Sequence, residues 1–184
     1  AALVFFRSFM LYIGVQLFST VGNGIVGGTS KTTYSPDKDC TRAQFAVMLY
    51  KIVGKPSVKG QTTPFTDIAD QTANTRNAII WAYNNGVVGG TSDTTFSPKD
   101  NIRKAQLIIM IYKAAGMPKV SGTAPYSDIS SQTSNTRKAI IWAYTNGILT
   151  DTDDGKTFRP KANATREQLT IMLYNFNALM GYIK

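Results

Sequence analysis

The chain contains no histidine, one cysteine (Cys40) and one glutamate (Glu167) among its 184 residues. Without histidine there can be no Ser-His-Asp or Cys-His pair and no His-ligated zinc. One cysteine permits no intrachain disulfide and leaves the redox compartment open. A single glutamate leaves few ways to pair two carboxylates for acid–base work. An enzyme is therefore not expected, and neither is a cofactor or a metal. Negative charge is scarce overall. Twenty Lys and Arg against eleven Asp and Glu give a net charge of +9, so an anionic partner is the first expectation. Long apolar runs are confined to the first 21 residues, AALVFFRSFMLYIGVQLFSTV, where Arg7 is the only charge.

What is present is a threefold repeat. GIVGGTSKTTYSP from Gly24, GVVGGTSDTTFSP from Gly86 and GILTDTDDGKTFRP from Gly147 are versions of one segment, and Pro36, Pro98 and Pro160 stand 62 residues apart. Behind each proline comes TRAQFAVMLYKIVGKP, RKAQLIIMIYKAAGMP or TREQLTIMLYNFNALM. Ahead of the glycine, FTDIADQTANTRNAIIWAYNNG matches YSDISSQTSNTRKAIIWAYTNG almost residue for residue. The chain divides into units 1–56, 57–118 and 119–184, with GKPSVKGQTTP and GMPKVSGTAP as linkers.

Each unit reads as helix, loop, helix. The first helix is predicted over Thr75 to Asn85 and Thr136 to Asn146, capped by the preceding Asn-Thr and closed by the following glycine. The second begins near Thr41, Arg103 and Thr165. Its apolar positions are Phe45, Met48, Leu49 and Ile52, then Leu107, Met110, Ile111 and Ala114, then Leu169, Met172, Leu173 and Phe176. One stripe in identical phase three times predicts a central three-helix bundle with pseudo-threefold symmetry.

An aromatic-x-Asp-Ile opening, a Trp-bearing helix, Gly-Ile/Val-x-Gly, Phe-x-Pro and Thr-Arg-x-Gln, in that order, resemble the S-layer homology (SLH) domain over about residues 20 to 176. The resemblance implies a mainly α, three-pronged spindle and a bacterial cell-wall or surface-layer location outside the cell. It also implies grooves that bind secondary cell-wall polysaccharide, often carrying pyruvate ketals. Carried over, the groove residues are Arg42, Lys104 and Arg166, Trp81 and Trp142, Asp67 and Asp128, with Gly27, Gly28, Gly89, Gly90, Thr29 and Thr91 as weaker candidates. A guanidinium fork suits a carboxylate, an aromatic face suits a sugar ring, and aspartates would accept sugar hydroxyls. Three departures stand out. The second unit reads Arg103-Lys104, which keeps positive charge without the fork. The usual acid after Thr-Arg-x is Gln44, Gln106 or Gln168. The first unit lacks the aromatic-x-Asp opening, which predicts that one groove is lost or altered.

Each of these residues also has a plainer reading. The tryptophans could be core anchors, the arginines could pair with a loop carboxylate, the aspartates could serve turns, and the glycines could supply positive φ. Arginine in a first helical turn opposes the macrodipole, so some other benefit must hold it there. Asp151, Asp153 and Asp154 suggest a calcium loop but lack the closing glutamate. Ser35-Pro36-Asp37-Lys38 has Ser-x-x-Lys spacing, which the other units do not repeat. The basic residues form no dense stripe, so nucleic acid is not an expected partner. The N-terminal run could span a bilayer, but Arg7 and the missing basic leader argue against a membrane. It reads better as a divergent first helix, or as an arm for self-association. The leading expectation is a non-catalytic anchoring module for an anionic wall glycan. The alternative is a self-assembling subunit of a fibre or surface layer.

Overall fold

The computed structural model describes residues 25–27, 33–149 and 155–182. The N-terminal apolar run, Gly28, Thr29 and the aspartates at 151, 153 and 154 lie outside the described residues. The described residues form five α-helices and one short 3-10 turn: α1 (Arg42–Ile52), α2 (Ala73–Asn84), α3 (Lys104–Ala114), the turn Ser127–Ile129, α4 (Ser134–Thr145) and α5 (Arg166–Met180). None of the helices is long and apolar enough to cross a membrane.

The second helices of the units begin where the sequence places them, with Thr41, Arg103 and Thr165 as N-caps. The glutamines that replace the usual acid close these caps. Gln44 Oε1 accepts from Thr41 N at 2.9 Å while Thr41 Oγ1 accepts from Gln44 N at 3.2 Å. Thr165 and Gln168 repeat the box. In α3 only the glutamine half survives, at 3.1 Å from Arg103 N, because an arginine cap cannot accept.

The first helices start two residues earlier than predicted. Thr72 and Thr133 are the caps, each accepting from the backbone N–H three residues on at 3.2 Å. Two threonines three residues apart offer the chain a choice of cap, and the earlier one gains an extra half turn. The ends fall as predicted. Gly86 (φ 68°) and Gly147 (φ 67°) take the left-handed conformation that closes a helix.

The three apolar stripes form one core. Phe45, Leu49, Leu107, Ile111, Leu169, Leu173 and Phe176 are fully buried, and α1 and α3 each pack on α5. Each first helix lies against the second helix of the preceding unit, α2 on α1 and α4 on α3. At the axis the units are laced by a cycle of backbone hydrogen bonds. Cys40 N donates to Ala164 O (2.9 Å), Ala164 N to Ile102 O (2.9 Å) and Ile102 N to Cys40 O (2.8 Å). Antiparallel bridges Asp39–Thr165, Thr41–Asn101 and Arg103–Asn163 flank the cycle. Unpaired first-turn amides are satisfied in the same rotation: Arg42 N and Ala43 N donate to Asp100 O and Pro98 O, Lys104 N and Ala105 N to Ala162 O and Pro160 O, and Arg166 N and Glu167 N to Lys38 O and Pro36 O. Residues 62 apart therefore occupy equivalent places, and the threefold relation is closed by contacts between the third unit and the first.

Candidate functional site

The side chains at the first position of α1, α3 and α5 cross from one unit to the next. Arg42 is almost fully buried; its Nε donates to Phe96 O and its Nη2 to Gly89 O, both at 2.8 Å, with the guanidinium 4.6 Å over the Phe96 ring. Arg166 does the same in the first unit, reaching Tyr34 O (3.0 Å) and Gly27 O (2.6 Å) over the Tyr34 ring. Lys104 lies 5.0 Å over Phe158. These contacts are the benefit that offsets the unfavourable macrodipole. The acceptors are loop carbonyls rather than the loop carboxylate of the plainer reading. Burial pulls the Arg42 pKa down, and Asp100 and Asp67 partly hold it up. The first unit carries tyrosine where the others carry phenylalanine, and its hydroxyl is hydrogen bonded to Thr170 and Arg166 O.

The carboxylates serve the same loops. Asp67 accepts from Phe96 N at 2.8 Å and Ser97 N at 2.7 Å; Asp128 accepts from Phe158 N and Arg159 N at the same distances. Ser97 and Arg159 have φ of 57°, so each aspartate pins a left-handed residue ahead of the loop proline. Trp81 and Trp142 are buried, with ring centroids 5.8 Å from Tyr50 and 5.3 Å from Tyr112 of the neighbouring helix. Gly27, Gly89 and Gly90 are not at positive φ. A Cβ at Gly90 would lie 2.1 Å from Ser92 O and 2.6 Å from Thr95 O, so close backbone approach requires that glycine. Gly89 and Gly27 are exposed and have open space at their Cβ positions; their carbonyls receive the arginines.

A cleft of about 400 Å³ opens between α1 and the second unit. Its walls are Gln44, Val47, Met48 and Lys51 of α1, Gln71 and Thr75 at the start of α2, Pro98 and Lys99 of the loop, and Ile25, Gly27 and Arg166. Among the described residues, three cations and no carboxylate line it. A second, smaller cleft of about 330 Å³ contains Gln132, Pro160 and Lys161, the counterparts of Gln71, Pro98 and Lys99, together with Asp128 and Arg159. Arg166 and Gly27 line the first cleft and Asp128 the second; Trp81, Trp142, Asp67 and Arg42 line neither. Arg103 is exposed at the cap of α3. Sequence reasoning missed Lys51, Lys99 and Lys161. The signal was a lysine recurring at a fixed offset from the loop proline and on the outer face of the second helix. Among the described residues no His, Cys, Asp or Glu group is placed to hold a metal ion.

The S-layer homology domain profile matches residues 20–46, 64–108 and 125–170, and the chain belongs to that family. Membership makes it a cell-surface anchoring module of three tandem repeats. It is 34% identical to an endoglucanase of Bacillus sp. (strain KSM-635) over 149 residues, which are 78% of this chain and 15% of that protein. It is 29% identical to a cellulosome-anchoring protein of Acetivibrio thermocellus, over 53% of this chain and 22% of the relative. A surface layer protein of Brevibacillus choshinensis is 31% identical over 58% of this chain and 10% of its own length. The chain thus spans less than a quarter of each of these relatives.

Proposed function

We propose that this chain is a non-catalytic module that holds a surface protein to the bacterial wall by binding an anionic secondary cell-wall polysaccharide, such as a pyruvylated one, at the junctions between repeats. The observation that carries the reading is the cleft with Arg166, Lys51 and Lys99, and no carboxylate among the described residues, on its walls. Its volume lies in the ~300–1,000 Å³ range of small-ligand sites. The cations would meet a ketal carboxylate, and Gln44, Gln71 and Thr75 would bond hydroxyls. Arg42 and Lys104 occupy the place of Arg166 at the other junctions. In this reading Gly27 and Asp128 belong to the walls, Trp81, Trp142, Asp67 and Gly90 hold the helices and loops behind them, and Gly89 and Arg103 lie exposed nearby. Weak engagement at more than one junction on one polymer would add up through effective concentration.

The test is binding of purified pyruvylated wall polymer to the intact chain and to a Lys51→Ala/Lys99→Ala variant, whose side chains stand outside the inter-repeat hydrogen bonds of the arginines. The expected result is at least about a tenfold loss of affinity and a shallower salt dependence. Unchanged affinity in the double variant would reject the cleft as the site.

A further inference from the structure

We infer that the three inter-repeat junctions are not interchangeable, and that the junction between α5 and the first unit excludes anionic glycans because Asp37 and Glu167 stand there. This rests on the proposed glycan reading and assigns selectivity within it.

The closed hydrogen-bond cycle makes residues 62 apart equivalent, so the cleft at α1 can be compared position by position with the other two junctions. Lys51 on the outer face of α1 corresponds to Lys113 on α3 and to Asn175 on α5. Lys99 beside the loop proline corresponds to Lys161 and, in the first unit, to Asp37. Ala43 in the first turn corresponds to Ala105 and to Glu167, the only glutamate in the chain. The cation reaching in from the preceding unit is Arg166 at the first junction, Arg42 at the second and Lys104 at the third. Two junctions therefore carry three cations each at these four equivalent positions; at the second, Lys161 lines the cleft beside Arg159 and Asp128, while Arg42 is turned to loop carbonyls. At the third, the same four positions hold one lysine, one asparagine and two carboxylates.

The two acids are close neighbours in the fold. Glu167 N donates to Pro36 O at 3.0 Å, which sets the glutamate directly against the loop that bears Asp37. Burial and the Asp37 charge both raise the Glu167 pKa. Asn175 is turned to Ile148 O at 3.4 Å, as Lys51 is to Ile25 O at 3.4 Å, so the substitution changes charge without changing the place of the side chain. A ligand carboxylate that meets three cations at the first junction would meet two carboxylates and one lysine at the equivalent positions of the third, with Lys38 next to Asp37 in the same loop. Like-charge juxtaposition of this kind weakens binding by about 100-fold or more.

The experiment is an amide-resolved NMR titration of the intact chain with a methyl glycoside bearing a pyruvate ketal, with the ketal-free glycoside as control. Shifts are expected to saturate around Lys51 and Lys99 and around Lys113 and Lys161, while Asp37, Lys38 and Glu167 stay unmoved. The Asp37→Lys/Glu167→Ala variant should gain a third saturating set within about tenfold of the others in affinity. The reverse exchange, Ala43→Glu/Lys99→Asp, should silence the first junction alone. Parallel saturation at all three junctions of the wild type, or no added set in the variant, overturns the inference. If the ketal glycoside moves no junction at all, the glycan reading fails. The inference is then judged by paramagnetic cosolutes: an anionic relaxation agent, relative to a neutral one, should spare Asp37 and Glu167 amides while broadening those of Lys99 and Lys161. Equal broadening sinks it.

Discussion

Removing the Arg42 side chain separates the two roles that a buried cation at a repeat junction can play. In Arg42→Ala the carbonyls of Phe96 and Gly89 lose donors at 2.8 Å and the Phe96 ring loses the charge lying 4.6 Å above it. Phe96 is fully buried, so its carbonyl has little access to replacement water, whereas Gly89 is exposed and can be rehydrated. A hydrogen bond from a charged donor contributes ~1.5–3 kcal/mol, and the cation–π contact adds ~0.5–2. Against this, the variant no longer desolvates a guanidinium, a penalty of several kcal/mol that the same contacts were offsetting. The balance is a loss of about 3 kcal/mol, or roughly 6–12 °C in Tm for a chain of this size. Thermal and urea denaturation followed by circular dichroism measure it. Arg42→Lys should fall between, since Lys104 already fills the equivalent place over Phe158. A Tm within about 1 °C of wild type, together with a collapse of glycan affinity, would refute the structural role and make Arg42 a ligand residue instead.

Three further outcomes follow from the same loops and axis. Gly90→Ala should unfold the second unit's loop or cost more than about 3 kcal/mol, while Gly89→Ala should change Tm little, because only the former places a Cβ against backbone oxygens; calorimetry of the pair decides. Asp67→Asn can accept only one of the two N–H bonds at Phe96 and Ser97, so about 1–2 kcal/mol should be lost and amide exchange at those two residues should quicken. Burial pushes the Cys40 thiol from 9.0 up to about 11. The unfolded chain ionises first, so stability should fall as pH rises between about 9 and 11, by up to ~2.7 kcal/mol. Cys40→Ala, which copies the alanine found at position 164, should remove that alkaline slope from urea-denaturation curves.

The helices were readable because their causes are local. The stripe through Phe45, Leu49 and Ile52 needs only a 3.6-residue period, and Gly86 and Gly147 mark ends by a conformation few other residues take. The choice between Thr72 and Thr75 as cap was not readable, since both side chains can do the work and half a turn separates them. The site was legible as a set of positions but not as a set of roles. A carbonyl has no signature in a sequence, so nothing before the fold pointed Arg42 at Gly89 and Phe96. Nor could spacing alone show that Asp67 spends its two oxygens on backbone N–H groups 29 and 30 residues away. The charge contrast among Lys99, Lys161 and Asp37 was visible in the letters throughout. It acquired meaning only when the hydrogen-bond cycle proved those positions equivalent.

The clasp between the last unit and the first also governs when the molecule can finish folding. Cys40 N needs Ala164 O, and Pro36 O and Lys38 O wait for the amides of Glu167 and Arg166. A nascent chain emerging from the ribosome can pair its first two units early. It cannot shut the circle until the final helix is released, more than a hundred residues later. Contacts so distant along the chain slow closure. Until that moment the first unit's loop and the Phe45 stripe stay partly uncovered. The last helix thus acts as the fastener of the whole ring, and any variant that weakens its grip on the first unit should loosen a segment far upstream of the change.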